Sequence, residues 1–346
     1  MGKNLYQNVR TQVKKNLQPV ITGPLGMDFA IRAKTPVPVP EAQQALEEYL
    51  RKAGFHVIHE TDVKGIHNHY EIEYPEFRIL QVVKARTFMQ CPMASSAVDL
   101  DPSSSSVLPP GIAMYELDGV TYISAVRPST LLAVFRDGEI RETVVELEGA
   151  LWDALENGVP ESELLDQEPP IRPGENADRA RMKKLLNPLL SVVDAEYAIH
   201  VSTERSPHEV KEQLRTSLNR RGQKVLGEVA DGRIMLAVNP GQAHKALAID
   251  PDVAVFAPLS VSVFERDGRT HVRSVRPTTL LIFFDHPAMQ DILMEMEMLL
   301  WNGIVDGVPD GRVESRQPPL QPEGGQRTTA GGLPGGLGAA RDRPSD

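Results

Sequence analysis

The stretch from Asp118 to Phe135, Asp-Gly-Val-Thr-Tyr-Ile-Ser-Ala-Val-Arg-Pro-Ser-Thr-Leu-Leu-Ala-Val-Phe, returns 149 positions later as Asp267 to Phe284. The register holds through Trp152 and Trp301 to Gly158-Val-Pro and Gly307-Val-Pro, with 17 identities over the 43 residues of 118–160 and 267–309. Such a chain must fold as two similar units, and whatever it does once must come from where the copies differ.

The earlier half of each copy repeats at other spacings. Phe29, Ile31 and Ala33 alternate with polar residues, as a half-buried strand does, and Tyr197, Ile199 and Val201 repeat them 168 positions on. Ala42, Leu46 and Leu50 form one helical stripe after Pro40, and Val210, Leu214 and Leu218 form its copy after a capping box at Ser206 and Glu209. The spacing falls to 155 at Arg78 and Arg233, so the first copy carries a thirteen-residue polar insertion, 65–77. It falls to 149 before Asp101-Pro102 and Asp250-Pro251. Each copy reads as strand, helix, several strands including a hairpin at Asp-Gly, and a long final helix. Helices set apart from a run of antiparallel strands predict an α+β fold: two tandem two-layer domains, each an antiparallel sheet with helices on one face. The other sheet face must meet water, the sister copy or a ligand.

The expected boundaries are a basic N-terminal segment (1–27), a first domain (28–160), a linker (161–195) with one short helix between Ala177 and Leu186, a second domain (196–309), and a disordered Gly/Pro-rich tail (310–346). Within residues 1–22, Leu5, Val9, Val13 and Leu17 recur every four positions among lysines and arginine, a pattern for peripheral contact with a membrane surface or a protein. A formal net charge of −10 opposes nucleic-acid binding by phosphate neutralisation. No apolar run is long enough for a transmembrane span and no secretory signal is visible, so the expected location is the cytoplasm. The single cysteine, Cys91, excludes an intramolecular disulfide.

Asp28-Phe-Ala-Ile, Thr61-Asp-Val-Lys64, Tyr74-Pro-Glu-Phe-Arg-Ile-Leu80 and, in the second copy, Asn239-Pro-Gly-Gln-Ala-His-Lys-Ala-Leu-Ala-Ile-Asp-Pro251 resemble the domain of unknown function 302 (DUF302) family. The first copy has Gln90-Cys91-Pro92 in place of the Asn-Pro element, and the second lacks the insertion. The resemblance implies a TATA-box-binding-protein-like arrangement and pairing of domains, here of the two repeats with each other, with a homo-oligomer as a further form. It brings no activity.

Three residue sets carry candidate chemistry. His56 and His59 on the second strand, with His67 and His69 in the insertion, offer imidazoles for zinc, iron or copper. His67 and His69 would share a face if extended, whereas His56 and His59, three apart on a strand, would point to opposite faces. Met89, Cys91 and Met93 form a soft set suited to copper(I) or haem iron. Arg127 and Arg276, each before a proline, are suited to an anion or to an ion pair with Glu146 or Glu148 and Glu295 or Glu297. Met289 and Met296 fall on core stripe positions. The expected function is a non-enzymatic protein binding a small ligand, metal or haem in the first domain, with the second as support. The alternatives are an assembly protein acting through its N-terminal segment and tail, and a cofactor-free enzyme working in an inter-domain cleft.

Overall fold

The structure, a computed structural model, describes residues 29–69, 73–84, 110–131, 138–166, 169–170, 197–229, 232–284, 286–315 and 317–319. Cys91, Met89 and Met93, residues 1–22, the linker helix expected at 177–186 and residues 320–346 lie outside them.

Two six-stranded antiparallel sheets carry the repeats. The first contains β1 (Ala30–Thr35), β2 (Phe55–Asp62), β3 (Phe77–Lys84), β4 (Gly111–Leu117), β5 (Val120–Val126) and β6 (Glu163–Leu164), in the order β2-β3-β4-β5-β1-β6. The second contains β7 (Ala198–Thr203), β8 (Lys224–Val229), β9 (Ile234–Val238), β10 (Leu259–Arg266), β11 (Arg269–Val275) and β12 (Arg312–Val313), in the order β8-β9-β10-β11-β7-β12. The two orders are the same once equivalent strands are matched, so the sequence repeat is a repeat of topology. Helices α1 (Val39–Lys52) and α3 (Gly138–Asn157) back the first sheet; α4 (Pro207–Arg220) and α6 (Pro287–Gly307) back the second. The α+β class read from the sequence is the one observed. The hairpin turns at Asp118-Gly119 and Asp267-Gly268 hold positive φ at both residues (54° and 76°, 51° and 72°), the backbone of a two-residue turn matched to strand twist.

Each repeat has a core between sheet and helices. Ala42, Leu46 and Leu50 of α1 pack with Ile31, Leu80, Met114 and Ile123; Val210, Leu214 and Leu218 of α4 pack with Ile199, Met235 and Val261. A third core joins the repeats. The outer face of the first sheet supplies Phe77, Ile79, Ala113 and Tyr115, and the second repeat covers it with α5 (Pro240–Ile249), the 3-10 segment Pro251–Phe256, and Phe283, Phe284 and Met289. Phe29 lies 5.0–5.8 Å from the rings of Phe256, Phe283 and Phe284. At Gly111 the approach is so close that a Cβ would fall on the carbonyl group of Val255.

Three expectations need correction. The insertion is not extended at its start: its first five residues, 65–69, complete helix α2 (Val63–His69). Positions two apart on a helix are about 200° apart in rotation, so His67 is buried and His69 exposed rather than sharing a face. On β2 a bulge between Val57 and His59 shifts the register, so His56 and His59 stand opposite Val83 and Gln81 on one face of β3 instead of opposite faces. Short pairs of residues in the expected linker and tail, Glu163–Leu164 and Arg312–Val313, form edge strands on β1 and β7.

Candidate functional site

A cavity of about 510 Å³ lies between the repeats. The first repeat lines it with Thr61, Val63, Ile66, His67 and Ile79. The second contributes most of the wall, including Leu226, Asn239, Ala243, His244, Leu247, Leu280, Leu293 and Met296. Helices α2 and α5 both line it and meet at its wall. Helix α5 starts there because Asn239 caps it, its side chain accepting from the Gln242 amide at 3.0 Å, with Pro240 in the first turn.

The cavity's polar wall is a histidine pair from the two repeats. His67 Nδ1 lies 2.7 Å from the Val63 carbonyl oxygen and its Nε2 lies 2.9 Å from Nδ1 of His244. A carbonyl only accepts, so His67 donates from Nδ1 and accepts at Nε2 from His244. That tautomer leaves Nε2 of His244 as the pair's remaining acceptor. Tyr74 stacks on His67 with ring centroids 4.0 Å apart. Burial lowers the pKa of both histidines, and at His244 the charge of a protonated His67 would add to it. Burial pushes the Tyr74 hydroxyl far up, so it stays protonated. Thr61 Oγ1, also on the wall, is buried without a hydrogen-bond partner among the described residues.

The sequence profile of Domain of unknown function DUF302 matches residues 31–158 and again 199–304. The chain belongs to the DUF302 family. A solved DUF302 structure, described as an uncharacterized conserved protein from Bacillus stearothermophilus, is 21% identical over 38% of this chain and 98% of its own, with a TM-score of 0.33. No curated protein matches the chain. In this tandem DUF302 protein no helix among the described residues is long and apolar enough to cross a membrane.

Of the four histidines singled out in the sequence, only His67 reaches the cavity wall. His56 and His69 are exposed. His59 packs against β8, where a Cβ at Gly227 would lie 3.3 Å from its Nδ1. Gly227 is the repeat counterpart of His59, so the two equivalent edge strands meet near a pseudo-two-fold axis. Among the described residues, no group of three or more His, Cys, Asp or Glu side chains is placed to hold a metal ion. Arg276 donates from Nε (3.0 Å) and Nη2 (2.7 Å) to Glu297, and Arg127 Nη1 lies 3.5 Å from Glu148, all four residues being buried. Met289 is buried in the inter-repeat core, and Met296 lines the cavity. Sequence reasoning missed His244 as a site residue, although it lies in the stretch that carries the family resemblance.

Burial lowers the pKa of His59, His67, His244 and His271, and of His200 to about 4. In the unfolded chain each protonates near 6.5. Below that pH the unfolded state therefore binds more protons than the folded one, so stability falls as pH falls, by up to about 1.4 kcal/mol per pH unit for each such histidine. The slope fades as pH rises through 6.5 and is nearly gone a unit above it. Urea unfolding between pH 7.5 and 5.5 should show this acid limb, and His67→Asn should make it shallower.

Proposed function

We propose that this protein binds a small, largely apolar molecule carrying a hydroxyl group, in the cavity between its repeats, as a non-enzymatic cytoplasmic binding protein. The observation that carries this reading is the cavity itself: an apolar enclosure with a small, defined set of polar atoms. Ligand sites commonly have volumes of roughly 300–1,000 Å³, mostly apolar walls and a few placed polar groups, and about 510 Å³ falls in that range. Nε2 of His244 would accept from the ligand hydroxyl, and Thr61 Oγ1 would gain the partner it lacks. A buried hydroxyl left unpaired costs about 1–3 kcal/mol, which a hydroxylated ligand offsets and a hydrocarbon does not.

Fluorescence titration with 2-naphthol, against naphthalene as the hydrocarbon control, tests the reading. The expected result is saturable one-to-one binding of 2-naphthol, with naphthalene at least tenfold weaker. Ala243→Trp places an indole in the cavity and should remove binding while leaving the fold intact by circular dichroism. Absence of saturation, or unchanged binding to Ala243→Trp, would refute the cavity as the site.

A further inference from the structure

The outer face of the first sheet grips a carboxylate. Asp252, on the 3-10 segment of the second repeat, is buried and accepts from Tyr115 Oη at 3.1 Å, from Ser124 Oγ and from Arg32 Nε. Arg32 and Ser124 are direct cross-strand partners on β1 and β5, and Tyr115 stands opposite Tyr122 on β4 and β5. Three neighbouring positions on one sheet face thus make a carboxylate receptor, with Tyr122 stacked on Tyr115 beside it as a fourth.

The second sheet has the same four positions with different chemistry. The repeat carries Arg32 to His200, Ser124 to Arg273, Tyr115 to Phe264 and Tyr122 to His271. The pairing is conserved in register: His200 stands opposite Arg273, and Phe264 opposite His271. His200 Nε2 lies 3.0 Å from His271 Nδ1, and the Phe264 ring stacks on His271 with centroids 5.5 Å apart. The cationic group has moved one strand over, from β1 in the first repeat to β11 in the second, and a second imidazole has joined it.

In sequence, the counter-charge is not repeated at the equivalent position. The counterpart of Asp252 is Ser103, which is uncharged. Among the described residues, the buried Nε of Arg273 has no hydrogen-bond partner and no carboxylate forms an ion pair with its guanidinium. The nearby carboxylate, Glu314, already accepts from Ser202 Oγ at 2.7 Å. Burial and the positive guanidinium of Arg273 hold the His200 imidazole neutral; burial, helped by Arg273 and Arg269 and opposed by a backbone hydrogen bond to Arg266, lowers the pKa of His271. A buried donor and two suppressed imidazoles gathered around one guanidinium are the arrangement that an arriving anion would stabilise.

We propose that this face of the second sheet binds the carboxylate of a small organic acid, held by Arg273 and the His200–His271 pair at the position where the first sheet holds Asp252. Carboxylate is favoured over other anions because the equivalent pleat of the first sheet is occupied by one. Phe264 and the stem of Arg273 would flank the ligand's carbon skeleton. The site is separate from the inter-repeat cavity, whose lining includes none of these residues.

Calorimetric titration of the full-length protein with succinate at pH 6.5 in low-chloride buffer tests it, with succinamide and inorganic phosphate as comparison probes. Succinate should bind, succinamide should not, and phosphate should bind more weakly than succinate. Arg273→Gln should weaken succinate at least tenfold and His271→Asn several-fold, while Ala243→Trp should leave it unchanged. The histidine variant keeps the test open should Arg273→Gln fail to fold. No succinate binding, equal binding to Arg273→Gln and the parent protein, equal binding of succinamide, or tighter binding of phosphate would each overturn the proposal.

Discussion

Asp252→Ala is expected to lower the unfolding free energy by about 3–5 kcal/mol, the usual cost of removing one partner from a buried ion pair. Asp252 is 5% exposed and sits in the second repeat, yet its donors, Arg32, Ser124 and Tyr115, all belong to the first. Without it, two buried hydroxyls and a guanidinium lose their acceptor at once. The loss should lie toward the lower end of the range, because Arg32 keeps 15% side-chain exposure and a second carboxylate, Asp166. Asp252→Asn retains an acceptor for Tyr115 and Ser124 and should cost less than alanine. Because the two side chains share one interaction, Arg32→Ala combined with Asp252→Ala should cost less than the sum of the separate changes. Urea unfolding of the four proteins decides it; a change under about 1 kcal/mol for Asp252→Ala would mean that the network does not hold the repeats together.

Glu297→Gln should be as damaging. Glu297 is 0% exposed and accepts two bonds from Arg276, one from the Thr278 amide at 3.1 Å and one from the Thr278 hydroxyl. Neutralising it leaves Arg276, 4% exposed, without the negative charge that these bonds place against its guanidinium, while the carbonyl oxygens of Gln317 and Pro318 still accept from it. The expected loss is again about 3–5 kcal/mol, read by urea unfolding. In the first repeat, Glu148 accepts from the Ser129 amide at 2.7 Å and faces Arg127, so Glu148→Gln should act in the same direction. A stability loss without change in 2-naphthol or succinate binding would show that these arginines serve the fold. A neutral effect of Glu297→Gln would instead count against the ion pair and return Arg276 to the anion-binding candidates.

The fold was legible where local pattern and duplication agree. The stripe Ala42, Leu46, Leu50 and its copy Val210, Leu214, Leu218 are the buried faces of α1 and α4, because a helix with such spacing has one face to bury. The candidate site was less legible, for three physical reasons. His67 and His244 are 177 positions apart, and only the packing of the repeats brings them to 2.9 Å. The bulge after Val57 changes which face His59 takes, and nothing in the spacing of His56 and His59 announces it. The insertion was read by its polar content, while its first five residues, 65–69, complete α2, which buries Val63 and His67. One signal was present and unused: comparing the copies residue by residue sets Asp252 against Ser103 and Arg32 against His200, a change of charge at positions where the framework is the same.

The cover that the second repeat lays over the first sheet, closest where Gly111 meets Val255, comes late in synthesis. Strands β1 to β5 and the core beneath α1 are complete in sequence well before α5 and the 3-10 segment that cover the sheet's outer face. At a synthesis rate of about 5–20 residues per second, the nascent first repeat waits on the order of ten seconds with Phe77, Tyr115 and Ile79 uncovered. For that interval it is a half-wrapped domain whose uncovered apolar face favours sticking to other chains. The second copy is therefore the late cover of the first as well as its twin.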